Sequence, residues 1–200
     1  MTIEKGEDWG HRGVLPADAP VVDSDAALAA LWNESRPDLV VGVLGGDLHR
    51  TVGGRGTEAD LRTGERTTLP IDVGLAELDD GRTMAFVGHL VRRRRFWSGT
   101  TIAVMNASFV GEWNVAPRGH PNDGRLDLVE ASLSFADRRK ARTRLPSGGH
   151  VPHPDISIRR LRKGEFDVGP GDRLLLDGQP VDAHGLVRWS VVPDAMSIVI

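Results

Sequence analysis

Apolar residues fall along this chain in two patterns that change near Arg55. Before it, Leu28, Leu31 and Trp32 recur at helical spacing. Asp23 or Ser24 can cap that helix, which the spacing predicts over Asp25–Glu34, and Pro37 follows its stop. Leu39–Leu44 is a short continuous apolar run ending at Gly45-Gly46. That is the look of a strand buried on both faces and running into a glycine turn. From Thr68 onward, short apolar runs alternate with turn signals. They predict strands at Leu69–Leu78, Thr83–Val91, Thr100–Ala107, Phe109–Val115, Arg125–Ser132 and Asp155–Leu161. Further strands are predicted at Glu165–Val168, Arg173–Leu176, Leu186–Val192 and Met196–Ile200, with one helix at Phe135–Leu145. Asp79-Asp80-Gly81, Asn122-Asp123-Gly124 and Asp177-Gly178 carry hairpin chemistry. The reading is mostly β with a small α/β N-terminal remnant: residues 1–55 a vestigial α/β segment behind an irregular lead, residues 56–200 a sandwich or barrel.

Composition narrows the function. Hydrophobic residues make up 40% and charged residues 26% of 200, an ordinary globular balance. The formal net charge of -3 argues against a protein built to hold nucleic acid. No run is long and apolar enough for a transmembrane helix, and the polar, acidic Met1–Asp8 is unlike a secretory leader. The expected location is cytoplasmic. Cysteine is absent, which excludes disulfides, thiolate catalysis and Cys-ligated zinc. Lysine occurs only at Lys5, Lys140 and Lys163, so nearly all cationic side chains are guanidinium groups.

Three segments could carry chemistry. In Gly45-Gly46-Asp47-Leu48-His49-Arg50, glycines after a buried strand let backbone N–H groups approach a phosphate. Asp47 could hold a ribose hydroxyl or a metal there, and Arg50 could pair with the phosphate; a tight turn with an exposed Asp explains the same letters. In Pro121-Asn122-Asp123-Gly124, Asp123 could coordinate a hard cation, or bond its own backbone in a hairpin loop. In Leu174-Leu175-Leu176-Asp177-Gly178-Gln179, an Asp ending an apolar strand is a plausible general base, and equally a plain turn residue. The run Arg92-Arg93-Arg94-Arg95 before Phe96-Trp97 could meet anionic headgroups or be a solvated strand end. No His pair has metal-ligand spacing.

Taken in order, the segments resemble the diacylglycerol kinase-like lipid kinases, the YegS-like enzymes. That family carries a small-residue strand, an Ala-Pro, a P-x-D-G-x-L-D loop and a later D-G-E turn. Here stand Asn106 to Gly111, Ala116-Pro117, Pro121 to Asp127 and Asp177-Gly178-Gln179 in that order, with Gly149-His150 and His153-Pro154 between. The resemblance covers roughly Ile71 to Ile200. It implies a two-layer β-sandwich of the lipid kinase and NAD kinase C-terminal type. It gives Asp177 the base role, Asp123 a metal, and Gly45, Gly46, Asp47 and Arg50 a shortened nucleotide segment. The family's G-G-D-G-T loop, expected upstream on its own strand, is not found, and Gln179 replaces an acid.

The expected function is therefore a lipid-kinase-like module that binds a lipid, a phosphate-bearing small molecule or a protein partner without autonomous kinase activity. The alternative is an ATP- and Mg²⁺-dependent kinase acting on a diacylglycerol-like hydroxyl; Mg²⁺ fits either reading, ATP only this one. A structural or assembly subunit is the third class. Peripheral membrane contact, a homo-oligomer and a separate nucleotide-binding partner are compatible with the first.

Overall fold

The computed structural model describes residues 9–33 and 39–200. Met1–Asp8, the helix end at Glu34 and the stop at Pro37 lie outside the described residues. The N-terminal part holds β1 (His11–Gly13), β2 (Val21–Val22), α1 (Asp25–Asn33), β3 (Val40–Val43), α2 (Gly46–Thr51) and α3 (Glu58–Thr63). Then come β4 (Arg66–Glu77), β5 (Thr83–Phe86), β6 (His89–Arg94), β7 (Thr101–Met105), β8 (Phe109–Val110), β9 (Trp113–Asn114) and β10 (Leu126–Ala131). After α4 (Phe135–Arg144) follow β11 (Ile156–Leu161), β12 (Lys163–Val168), β13 (Asp172–Leu176), β14 (Gln179–Val181) and β15 (Gly185–Val199).

Two sheets stack. The first runs β1-β4-β15-β3-β2, with β12 and β5 pairing along β15 and β4. The second runs β11-β10-β7-β6-β13-β14. Strand pairs are antiparallel except β2–β3 and β3–β15. The β2-α1-β3 unit is thus the α/β remnant, and it adds directly to the sandwich's first sheet. Between the sheets, Leu90, Ile102, Val104, Leu126 and Leu128 meet Phe86, Val187 and Trp189. The period-2 alternation of the second sheet explains the layer: even positions of β7 and β10 face this core, odd positions face outward. A separate core under the helices joins Leu28, Val41, Val43 and Leu48 to Leu69, Ile71 and Ile198. The long strands β4 and β15 run through both cores.

Several expectations shift in detail. Thr83–Val91 is two strands, broken at Val87-Gly88, because the chain leaves the first sheet there and enters the second. Leu186–Val192 and Met196–Ile200 join into one strand whose pairing with β4 slips between Val192 and Met196. Gly45-Gly46 opens a helix rather than a turn. Asn122-Asp123-Gly124 joins β9 to β10, which do not pair with each other, so it is not a hairpin turn. Asp177-Gly178 is the two-residue hairpin expected: Leu176 pairs with Gln179, and φ is 46° and 79° at the two turn residues.

Candidate functional site

Adjacent parallel strands β2 and β3 each deliver an aspartate at their C-terminal end. Asp25 opens α1 and Asp47 lies in the first turn of α2. The Asp25 carboxylate accepts the backbone N–H of Asp47 at 2.6 Å and of Leu48 at 3.2 Å, capping the neighbouring helix. Gly46 permits this: its φ is +96°, and a Cβ there would lie 2.3 Å from Asp25 Oδ1. From the other side, the Asp177 turn reaches into the break between β5 and β6. Its carboxylate accepts the N–H groups of Val87, Gly88 and His89 at 2.8–2.9 Å. Gly88 separates the two acids, since a Cβ on it would lie 2.8 Å from Asp25 Oδ2 and 3.0 Å from Asp177 Oδ1. The His89 Nε2 hydrogen-bonds Asp47 Oδ2 at 3.0 Å, and the Gly111 N–H donates to Asp47 Oδ1 at 2.8 Å.

Three aspartates and one histidine thus share a largely dry space; Asp25 is 5% and His89 3% exposed. Burial pushes the Asp25 carboxyl up to about 7, with the charges of Asp177 and Asp47 adding to it against the backbone N–H bonds. Burial also raises Asp177. For His89, burial pulls the imidazole down, but the Asp47 hydrogen bond and the acids around it outweigh that and leave it raised.

The remaining predicted residues are engaged elsewhere. Arg50 donates to the Gly111 carbonyl at 2.8 Å and lies over the Phe109 ring at 4.5 Å, holding the β8–β9 hairpin. Asp123 accepts the Arg125 N–H at 2.9 Å and is ion-paired with Arg160. Arg160 also lies 3.8 Å from Asp127, a 5% exposed acid that burial lifts to about 6. The Asp123 loop and the Asp177 turn are nevertheless linked. Asn106 donates to the carbonyls of Val87 and Asp72, and the buried Asp72 carboxylate accepts the Gly124 N–H at 2.7 Å. Asp25, His89 and Asp72 carry no motif by themselves, and only the chain's return in space groups them. Val21-Val22 before Asp23-Ser24-Asp25 was the one available hint of an upstream strand ending in an acid.

The cofactors implied by the resemblance do not fit these positions. At Asp123 the guanidinium of Arg160 already supplies the positive charge, and a magnesium ion needs about six oxygens. After Gly45-Gly46, the N–H groups of Asp47 and Leu48 that could cradle a phosphate are taken by Asp25. A cluster of Asp137, His153 and Asp155 brings ligand atoms within 4.8 Å of one another, but Ser134 and Lys140 already bond Asp137.

The outward face of the second sheet carries a cavity of about 910 Å³. Val91, Ala103 and Val129 form its floor, Val110, Trp113 and Val115 one wall, and α4 with Phe135 and Ala141 its cover. Arg93, Arg95, Arg138, Arg139, Arg142 and Arg173 ring it. His89 and Val91 lie on the same face of β6, two residues and roughly 7 Å apart. The β8–β9 hairpin bridges the two places: Gly111 bonds Asp47, and Val110 and Trp113 line the cavity.

The family model for the YegS C-terminal NAD kinase beta sandwich-like domain matches residues 72–200. The chain belongs to the YegS C-terminal sandwich family. Among solved structures it is similar to a proposed diacylglycerol kinase from Bacillus anthracis str. Sterne, at 13% identity and a TM-score of 0.66 over 90% of this chain and 76% of that one. A further diacylglycerol kinase structure from the same organism has 11% identity and a TM-score of 0.52 over 80% and 66% of the two chains. No curated protein matches the sequence significantly. The YegS-type match opens at Asp72 and takes in His89, Asp177 and the whole cavity. It leaves Asp25 and Asp47 outside.

Proposed function

We propose that this YegS-type sandwich is a binding module for a lipid-like amphiphile with an anionic head, without autonomous phosphoryl transfer. The cavity carries the reading: an apolar floor and wall, closed by α4 and ringed by guanidinium groups, suits an acyl chain with a phosphate or carboxylate at its end. The state of the acid cluster supports the second half. Phosphoryl transfer depends on positioned phosphate and neutralised charge. Here the groups that would do this bond each other, and Asp177 spends both carboxylate oxygens on three N–H groups. Asp177 could still act as a base, yet without a positioned donor a base has nothing to do.

The test combines binding and turnover. Trp97 and Trp113 line the cavity, so a long-chain alkyl phosphate should change tryptophan emission saturably. A radiolabelled ATP assay with mixed lipid micelles and Mg²⁺ should give no useful product. Turnover near ~1 s⁻¹, abolished by Asp177→Asn, would overturn the reading and favour the kinase. One observation keeps that alternative in view: His89 of the acid cluster stands on the same face of β6 as the cavity-lining Val91, two residues away.

A further inference from the structure

We infer that the cavity selects an amphiphile carrying a hydroxyl a few bonds from its anionic head, and that His150 is the residue that receives this hydroxyl. The inference rests on the reading of the cavity as an amphiphile site and adds a chemical requirement to its ligand.

Of the polar side chains that line the cavity, only His150 is buried. The other buried residues of the lining are Val91, Ala103, Val129 and Ala141, all small and apolar. His150 is 5% exposed, and among the described residues neither Nδ1 nor Nε2 has a hydrogen-bond partner within bonding geometry. Buried polar groups are nearly always bonded, because an orphaned one forfeits its hydration for nothing in return. A phenyl ring would fill the same space without an unpaired nitrogen, so folding alone gives no reason for an imidazole here.

The backbone fixes where the ring stands. Gly148 has φ of +70°, and a Cβ on it would lie 2.8 Å from Pro117 Cγ, so the chain after α4 is pressed against Pro117. The Gly149 N–H donates to the Arg144 carbonyl at 3.1 Å, and the Ile156 N–H to the His153 carbonyl at 3.1 Å. His150 therefore enters the lining between the end of α4 and the start of β11, beside Val115.

Burial pulls the imidazole below its ordinary value, and the Val115 carbonyl offsets part of this. Six guanidinium groups and no carboxylate line the cavity, which also disfavours a charged ring. A neutral imidazole has one N–H and one acceptor nitrogen. The Val115 carbonyl draws the N–H, so the group still wanting a partner is the acceptor, and a hydroxyl supplies the donor. Both nitrogens lie beneath the lining, so binding turns the ring about Cβ–Cγ, a torsion with broad minima. The position of the anionic head follows from the same wall. Arg142 lies over the Trp113 ring at 5.9 Å, and Trp113 is two residues before Val115. A phosphate on Arg142 and a hydroxyl on His150 thus belong to one short stretch of ligand.

The experiment compares two monomeric ligands by tryptophan emission. One is a dodecyl ether of glycerol phosphate with a free hydroxyl beside its phosphate; in the other that hydroxyl is methylated and can no longer donate. The wild type should bind the free hydroxyl about ten-fold more tightly. His150→Phe should bring the two affinities within about two-fold of each other without lowering the melting temperature, since it removes an unpaired polar group. His150→Gln, whose amide oxygen accepts, should keep a preference of about three-fold. In nitrogen NMR spectra, assigned by comparison with His150→Phe, one imidazole nitrogen should shift with the free hydroxyl and stay in place with the methyl ether. Equal wild-type binding of the two ligands overturns the inference and keeps the amphiphile site; binding of neither removes both. A preference that persists in His150→Phe, or a His150 nitrogen unmoved by the free hydroxyl, also overturns it. Should His150→Phe fail to fold, the wild-type ratio and the behaviour of His150→Gln decide.

Discussion

Replacing Asp25 by Asn should make the protein more stable at high pH, and the size of the effect follows from the cluster's geometry. Asn keeps a carbonyl oxygen that can accept the N–H groups of Asp47 and Leu48, and it removes a charge from beside Asp177 and Asp47. The wild-type carboxyl titrates near 7 in the folded chain and near 4 when unfolded. The folded state therefore holds the extra proton between these values, and stability falls as pH rises toward 7. From pH 5 to pH 8 that amounts to about 3 kcal/mol, and sharing of the proton among the neighbouring groups brings the expectation to about 2–3 kcal/mol. His89 acts in the same sense: its raised value gives stability that is present below its unfolded pKa and is lost as pH rises through the folded one.

The assay is urea denaturation of wild type and Asp25→Asn at intervals from pH 5 to pH 8. Titrating groups far from the substitution cancel in the difference, whereas Asp47, Asp177 and His89 couple to Asp25 and stay within it. The variant should gain on the wild type by about 2–3 kcal/mol across the range, or about 5–10 °C in melting temperature for a chain of this size. Asp25→Ala is the contrast. It removes the charge together with the acceptor, leaves two N–H groups unpaired, and should cost about 1–3 kcal/mol even at pH 5. A wild-type stability that rises relative to Asp25→Asn between pH 5 and pH 8 would refute the picture of a buried, crowded acid.

Gly88→Ala should cost about 1–3 kcal/mol, because its methyl would press on both Asp25 and Asp177, while Gly64→Ala, with nothing within 4 Å, should stay within about 0.5 kcal/mol; thermal melts compare them. Asn106→Ala, at a residue 1% exposed, should lose about 1–3 kcal/mol in urea denaturation by leaving the Val87 and Asp72 carbonyls without its amide. Arg160→Ala removes the cation beside Asp123 and the buried Asp127. Burial raises Asp127, so the loss should grow as pH rises through about 6, measured by denaturation at pH 5 and pH 7.5.

Strand after strand of the sandwich was legible because its outward and inward positions alternate, as in Glu165–Val168, and because turns such as Asp177-Gly178 use the residues their backbone requires. The site was legible only in part. Asp177 and Asp47 could be picked out because each follows an apolar run. Asp25 and His89 could not, since β2 is two residues long and His89 begins a strand that pattern alone fused with β5. The cavity was invisible for another reason. Its arginines lie on β6, β13, α4 and the turn after β6, and a run of letters does not show which of Arg92–Arg95 a pleat will turn toward the mouth.

The change of pattern near Arg55 suggests a boundary, yet the packing predicts that a fragment of residues 56–200 will not fold alone. β3 pairs with β15 along Ser197–Val199, so its loss would bare an interior strand of the first sheet. Leu28, Val41, Val43 and Leu48 are each fully buried, and they cover Leu69, Ile71 and Ile198. Burying one such side chain stabilises by about 1.5–3 kcal/mol, so four contribute about 6–12 kcal/mol. That is comparable to the entire stability of an ordinary domain, about 5–15 kcal/mol. The fragment would also lose Asp47 and Arg50, which fasten the β8–β9 hairpin through Gly111, and with them one wall of the cavity. Far-ultraviolet circular dichroism and a urea titration of the fragment decide the matter. A cooperative transition with near-native strand content would show that the remnant is dispensable for folding. A non-cooperative one would show that the α/β piece and the sandwich are one folding unit.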